Sequence, residues 1–102
     1  MELEQHLPLA PRDLLILSVL AEGPLHGYGI IKAVEDRSQS GVLLDPANLY
    51  RVLRRMRRVE WIREVGGDHR RRAYQVTAVG QALLSAELKR LEHLLECSGS
   101  GV

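Results

Sequence analysis

Arginine stays charged across the physiological pH range. It can donate two parallel hydrogen bonds to a phosphate or to the outer edge of guanine. Nine arginines fall between Arg51 and Arg72 (51, 54, 55, 57, 58, 63, 70, 71, 72), against three acids, Glu60, Glu64 and Asp68. That stretch carries +6 and the remainder −5, so a net charge of +1 conceals a strongly basic patch. The distribution of charge, rather than its total, points to a polyanion. On a helical projection Asn48, Arg51, Arg55 and Arg58 share one side, flanked by Ala47, Tyr50, Arg54 and Arg57. Leu49, Val52, Leu53, Met56 and Val59 share the other, which reads as core. Arginine pairs with guanine and asparagine with adenine, so Asn48, Arg51 and Arg54 are the candidates for base edges. A glycine turn, Gly66-Gly67, is followed by His69, Arg70, Arg71 and Arg72, a basic loop able to reach backbone or an adjacent groove.

Other chemistries lack their signatures. His6, His26, His69 and His93 share no ligand spacing, and Cys97 is the lone cysteine, so no metal site is expected. No nucleophile sits in a recognisable triad, and Gly27-x-Gly29 lacks the third glycine and preceding strand of a dinucleotide loop. The chain therefore reads as a non-enzyme without cofactor. Trp61 reads as packing under the basic hairpin, with ligand stacking as the alternative. No apolar run is long enough for a membrane, the amino terminus is unlike a signal peptide, and a single cysteine suits a reducing cytoplasm.

The elements that must hold the basic patch follow from periodicity. At 102 residues one domain is the natural count. A short arm (1–10) precedes a helix from Pro11 to about Glu22, apolar nearly all round and stopped by Gly23-Pro24. A second helix spans roughly His26 to Arg37. Val42-Leu43-Leu44 is a candidate strand. Asp45 and Pro46 cap and open the arginine helix. Trp61 to Val65 and Ala73 to Val76 read as a β-hairpin. Thr77 would cap a last helix reaching about Glu96, where Leu84, Leu88, Leu91 and Leu95 follow a coiled-coil rhythm. With Leu14 and Leu17 of the first helix, these leucines are the candidate dimer contacts. The organisation is a mainly α fold with a small β-hairpin wing: a winged helix-turn-helix over 11–80, a dimerisation helix over 77–97 and a flexible tail over 98–102.

Three segments, Leu20-Ala21-Glu22-Gly23-Pro24-Leu25-His26-Gly27-Tyr28-Gly29-Ile30, Leu49-Tyr50-Arg51 and Tyr74-Gln75-Val76-Thr77-Ala78-Val79-Gly80, resemble the PadR family of bacterial transcriptional regulators. The resemblance covers about residues 12 to 96. It implies a winged helix, a carboxy-terminal dimerisation helix and repression of a promoter, in the manner of the short subfamily. It also implies that Tyr28 and Tyr50 lie near the DNA backbone, that Ala47, Asn48, Arg51 and Arg54 form the reading end, and that Arg70 to Arg72 form the basic wing. Three features depart from the family pattern. Asp45 puts a negative charge near phosphate. Glu60 stands where the family usually has glycine. The chain has no Phe, one Trp and three Tyr, where relatives often line an effector pocket with aromatics. The function so implied is a homodimeric repressor on double-stranded DNA, with a palindromic operator and release by a small hydrophobic effector. The alternative is a winged helix that binds another protein.

Overall fold

Pro11 opens helix α1 (Pro11–Leu20), where its missing N–H leaves no hydrogen bond unmade. The structure, a computed structural model, describes residues 3–66 and 72–99. A 3-10 turn (Leu3–His6) precedes α1; strand β1 (Leu25–His26), α2 (Gly27–Arg37), α3 (Pro46–Arg58), β2 (Ile62–Val65), β3 (Ala73–Val76) and α4 (Ala78–Gly99) follow. The three strands form an antiparallel sheet in the order β1-β3-β2, with both Leu25 and Glu64 opposite Tyr74. This is a winged helix: three helices against a small sheet whose β2–β3 hairpin is the wing.

The expected strand at Val42–Leu44 does not form. Gln39 and Ser40 adopt left-handed backbone, and the Ser38 hydroxyl closes the loop on Val42 N–H and C=O at 3.0 and 3.3 Å. Leu44 is drawn into the core as an anchor. The first strand lies instead at Leu25–His26, two residues recruited by pairing with β3.

One core unites the elements: Ile16, Leu17 and Leu20 of α1, Ile30 and Val34 of α2, Leu49, Leu53 and Met56 of α3, Trp61 and Ile62 of the wing, and Leu83 and Leu84 of α4. Leu17 and Leu84 were expected in a dimer seam. They are 0% and 7% exposed, sealed inside their own domain, and cannot also face a partner.

The arm is more ordered than its sequence suggests. Leu9 is buried and its N–H donates to Glu87 Oε2 at 2.8 Å, while the His6 ring meets Trp61 edge to face at 5.5 Å. At the far end α4 extends through Gly99, so Ser98 and Gly99 continue the helix where a flexible tail was expected.

Candidate nucleic-acid interface

Asp45 fixes the start of α3: its Oδ1 accepts from Asn48 N–H at 2.9 Å, a cap typically worth about 1 kcal/mol. The same carboxylate takes Asn48 Nδ2–H at 2.6 Å. Asp45, a departure from the family pattern, is therefore occupied by its own helix. Asn48 keeps its Oδ1 and one Nδ2 hydrogen for a ligand. Leu49, Val52, Leu53 and Met56 bury one face of α3 and turn Ala47, Tyr50, Arg51, Arg54, Arg55, Arg57 and Arg58 outward.

The turn that follows α3 aims the wing. Glu60 N–H donates to Arg57 C=O at 3.0 Å and Trp61 N–H to Met56 C=O at 2.9 Å, with Glu60 at φ 63°. This is the helix-ending motif that usually places glycine in the left-handed position. Glutamate adopts the same backbone here, at a cost of roughly 1–2 kcal/mol. The turn is then clamped to α4. Thr77 Oγ1 lies 2.6 Å from Glu60 C=O and 3.0 Å from Trp61 C=O and accepts from Gly80 N–H at 3.1 Å. A Cβ on Gly80 would sit 2.2 Å from the Trp61 carbonyl oxygen, so only glycine allows this approach.

The arginines divide by their partners. Arg51, Arg54 and Arg58 are exposed and make no ion pair or side-chain hydrogen bond among the described residues. Arg55, grouped with the DNA-binding residues from the sequence, is engaged within the domain: its Nη2 donates to both oxygens of the buried Asp13 at 2.8 and 2.9 Å. That contact joins α3 to α1 and ties the guanidinium of Arg55 to Asp13, although its side chain stays 45% exposed. Arg57 and Arg72 both reach Glu64, at 2.7 and 3.5 Å, and Arg63 donates to Gln75. His69, Arg70 and Arg71 lie outside the described residues. Arg72 marks the end of the wing nearest β3.

Two tyrosines flank the start of α2. Tyr28 is 72% exposed. Tyr50 reaches across from α3 so that a Cβ on Gly27 would lie 2.5 Å from its hydroxyl oxygen, and the bare glycine makes room for it. Tyr74, buried beneath the wing, has its phenol pushed above the ordinary value. Burial is the main cause, the negative charge of Glu64 and the nearby Tyr50 add to it, and Arg57 and Arg72 oppose it.

On α4 the leucine stripe changes character along its length. Leu83 and Leu84 are core, Leu91 is half-buried, and Leu88, Leu94 and Leu95 are exposed, Leu95 by 71%. Leu14 on α1 is half-buried. The exposed part of the stripe continues the face that packs on the domain, past the end of that domain.

Asp13 and Glu87 were missed from the sequence. Glu87 is 1% exposed and takes Arg90 Nε–H at 2.6 Å as well as Leu9 N–H. A readable signal existed, since Leu83, Glu87 and Leu91 are spaced four apart along one helix face. No helix among the described residues is long and apolar enough to cross a membrane.

Comparison with known proteins agrees with this geometry. Residues 16–86 match the Transcriptional regulator PadR-like family. The chain is 30% identical over 88 residues to protein X of Lysinibacillus sphaericus, covering 82% of this chain and 81% of that one. It is 37% identical over 82 residues to a 37.1 kDa protein in transposon TN4556 of Streptomyces fradiae, covering 80% of this chain but only 23% of that protein's length. A PadR family transcription regulator from Clostridium difficile superposes with a TM-score of 0.74 at 23% identity, covering 89% of this chain and 97% of that one.

Proposed function

Because the chain belongs to the transcriptional regulator PadR-like family, we propose that this DNA-binding regulator is a repressor acting as a two-fold homodimer on a palindromic operator. The observation that carries the reading is the trio Arg51, Arg54 and Arg58. They project from the open face of α3, while Arg55, Arg57, Arg63 and Arg72 are held by partners in the domain. Unpaired guanidinium groups on an exposed helix are matched to phosphate and guanine. Arg51, Arg54, Ala47 and the free half of the Asn48 amide meet base edges. Tyr28 and Tyr50 donate hydroxyl hydrogen bonds to the backbone. The wing, through His69 and Arg70 to Arg72, contacts phosphate or the minor groove.

The dimer forms along the exposed stripe of α4, from Leu88 through Leu91 and Leu94 to Leu95, with Leu14 of α1 at its edge. A two-fold axis there sets two copies of α3 about one helical turn of DNA apart, roughly 34–36 Å. Repression follows from occupying a promoter in a bacterial cytoplasm. A small apolar effector entering between α1 and the paired α4 helices changes that spacing and releases the DNA.

The test is selection of bound duplexes from a random pool, followed by titration of the enriched sequence against salt. The reading expects an inverted repeat and a steep linear fall of log affinity with log salt. A chain retained on no duplex, or bound without salt dependence, refutes it and favours a protein-interaction role. Phenolic and cationic drugs added to the operator complex test the effector, and unchanged affinity would mean that abundance alone sets repression.

A further inference from the structure

Glu64 joins the two DNA-facing parts of the molecule. It lies on β2, yet its Oε1 is 2.7 Å from Arg57 Nη1, in the last turn of α3, and 3.5 Å from Arg72 Nη1, at the entry to β3. One carboxylate thus spans the gap between the reading helix and the wing. In the proposed complex, with α3 in the major groove and the wing beside it, a strand of sugar-phosphate backbone would pass along this gap. The arginine side chains are 45% and 49% exposed and the glutamate 27%, so an incoming anion can reach all three. Ion pairs this open are weak and easily exchanged.

We propose that Glu64 is an internal stand-in for a backbone phosphate, which holds Arg57 and Arg72 away from non-cognate DNA and so sets the protein's specificity. The proposal rests on the DNA-binding reading and deepens it. A phosphodiester carries one negative charge, as the carboxylate does, so the exchange is charge for charge. Duplex that only skims the surface gains Arg57 and Arg72 by losing their contacts to Glu64, and it then faces the bared carboxylate. An operator that seats α3 in the groove drives the same exchange through base contacts made by the free arginines. Random duplex, with no base contacts to drive the exchange, therefore leaves Arg57 and Arg72 on Glu64, whereas the operator completes it. Asp13, the other acid holding an α3 arginine, is buried and braces α1 instead.

The test compares the full-length wild type, Glu64→Gln and Glu60→Gln on random duplex and on the selected operator, across a salt series. Glu60 is an exposed acid near the same turn with no ion pair among the described residues, so its variant controls for loss of charge alone. Glu64→Gln is expected to steepen the slope of log affinity against log salt on random duplex by about 0.9–1.8, one or two added phosphate contacts. Random-duplex affinity should rise roughly fivefold to tenfold, with a smaller gain on the operator. Glu60→Gln should leave the slope near that of wild type. Should the Gln variant lose its thermal transition, Glu64→Asp, which retracts the carboxylate by one methylene, moves the slope in the same direction. An unchanged slope, a fall in random-duplex affinity, or an equal effect from Glu60→Gln overturns the proposal while leaving DNA binding intact. A wild type that binds no duplex overturns the DNA reading and the role of Glu64 together.

Discussion

Replacing Glu87 with leucine tests how the arm is held to α4. The two side chains are close in volume, so no cavity opens. The loss is an acceptor. Leu9 N–H, buried and 2.8 Å from Glu87 Oε2, is left with none. An orphaned buried amide costs about 1–3 kcal/mol. For a chain of this size each kcal/mol moves Tm by about 4–8 °C, so a fall of roughly 5–20 °C is expected. The effect is also tied to pH. The Glu87 carboxyl is held below the usual carboxylate range, chiefly by the hydrogen bond from Arg90, with burial opposing and the Leu9 N–H assisting. A folded-state pKa below the unfolded one gives stability that is present above the unfolded value, about 4.3, and lost as pH falls through the folded value. The gap in Tm between wild type and Glu87→Leu should be full at neutral pH and narrow as acid is added. Thermal unfolding followed by circular dichroism, at fixed chain concentration from pH 7 to pH 3, reads both. Trp61 fluorescence reports release of the arm, because His6 packs on that ring. A Tm change under about 2 °C at pH 7, or a gap that widens in acid, would refute the reasoning.

Three further substitutions probe other joints. Gly80→Ala forces a methyl group against the Trp61 carbonyl and should cost at least about 2–3 kcal/mol in chemical denaturation; a loss under about 1 kcal/mol would show that the wing base yields easily. Glu60→Gly relieves left-handed backbone at the end of α3 and should raise stability by up to about 1 kcal/mol, with a lowered denaturation midpoint as the contrary result. Leu91→Asp combined with Leu95→Asp should give a monomer by analytical ultracentrifugation that keeps its cooperative unfolding and loses operator binding, and a dimer of wild-type mass would place the interface elsewhere.

Much of the fold was legible because it rests on local patterns. Pro11, Asp45-Pro46 and Thr77 mark helix starts, the alternation of apolar and basic residues in α3 fixes its faces, and Gly66 takes the left-handed backbone that leaves β2. What escaped depends on partners far away in sequence. Leu25–His26 becomes a strand only because β3 arrives beside it, 48 residues later, and neither residue type signals that. Val42–Leu44 has strand composition but pairs with no strand, and local bonds to Ser38 win. Arg55 looked equivalent to Arg51 and Arg54 on a helical projection; Asp13, 42 residues away, tells them apart. The leucine rhythm of α4 was visible, but not the point along it where the domain ends. Leu84 therefore looked like Leu95 although one is sealed and the other bare.

The clamp at Thr77 has a mechanical meaning. Because the wing base and the first turn of α4 share the carbonyls of Glu60 and Trp61 and the hydroxyl of Thr77, the two form a single stiff lever with its fulcrum at Gly80. The long arm of that lever is α4, about 33 Å for 22 residues at the usual rise. In the proposed dimer a tilt of roughly 5° between the two α4 helices would sweep the far end through about 3 Å, and the wing would have to turn with it. That sweep is several times the roughly 0.5 Å window of hydrogen-bond lengths, so in the proposed DNA complex a small tilt at the leucine end would decide whether the wing meets phosphate.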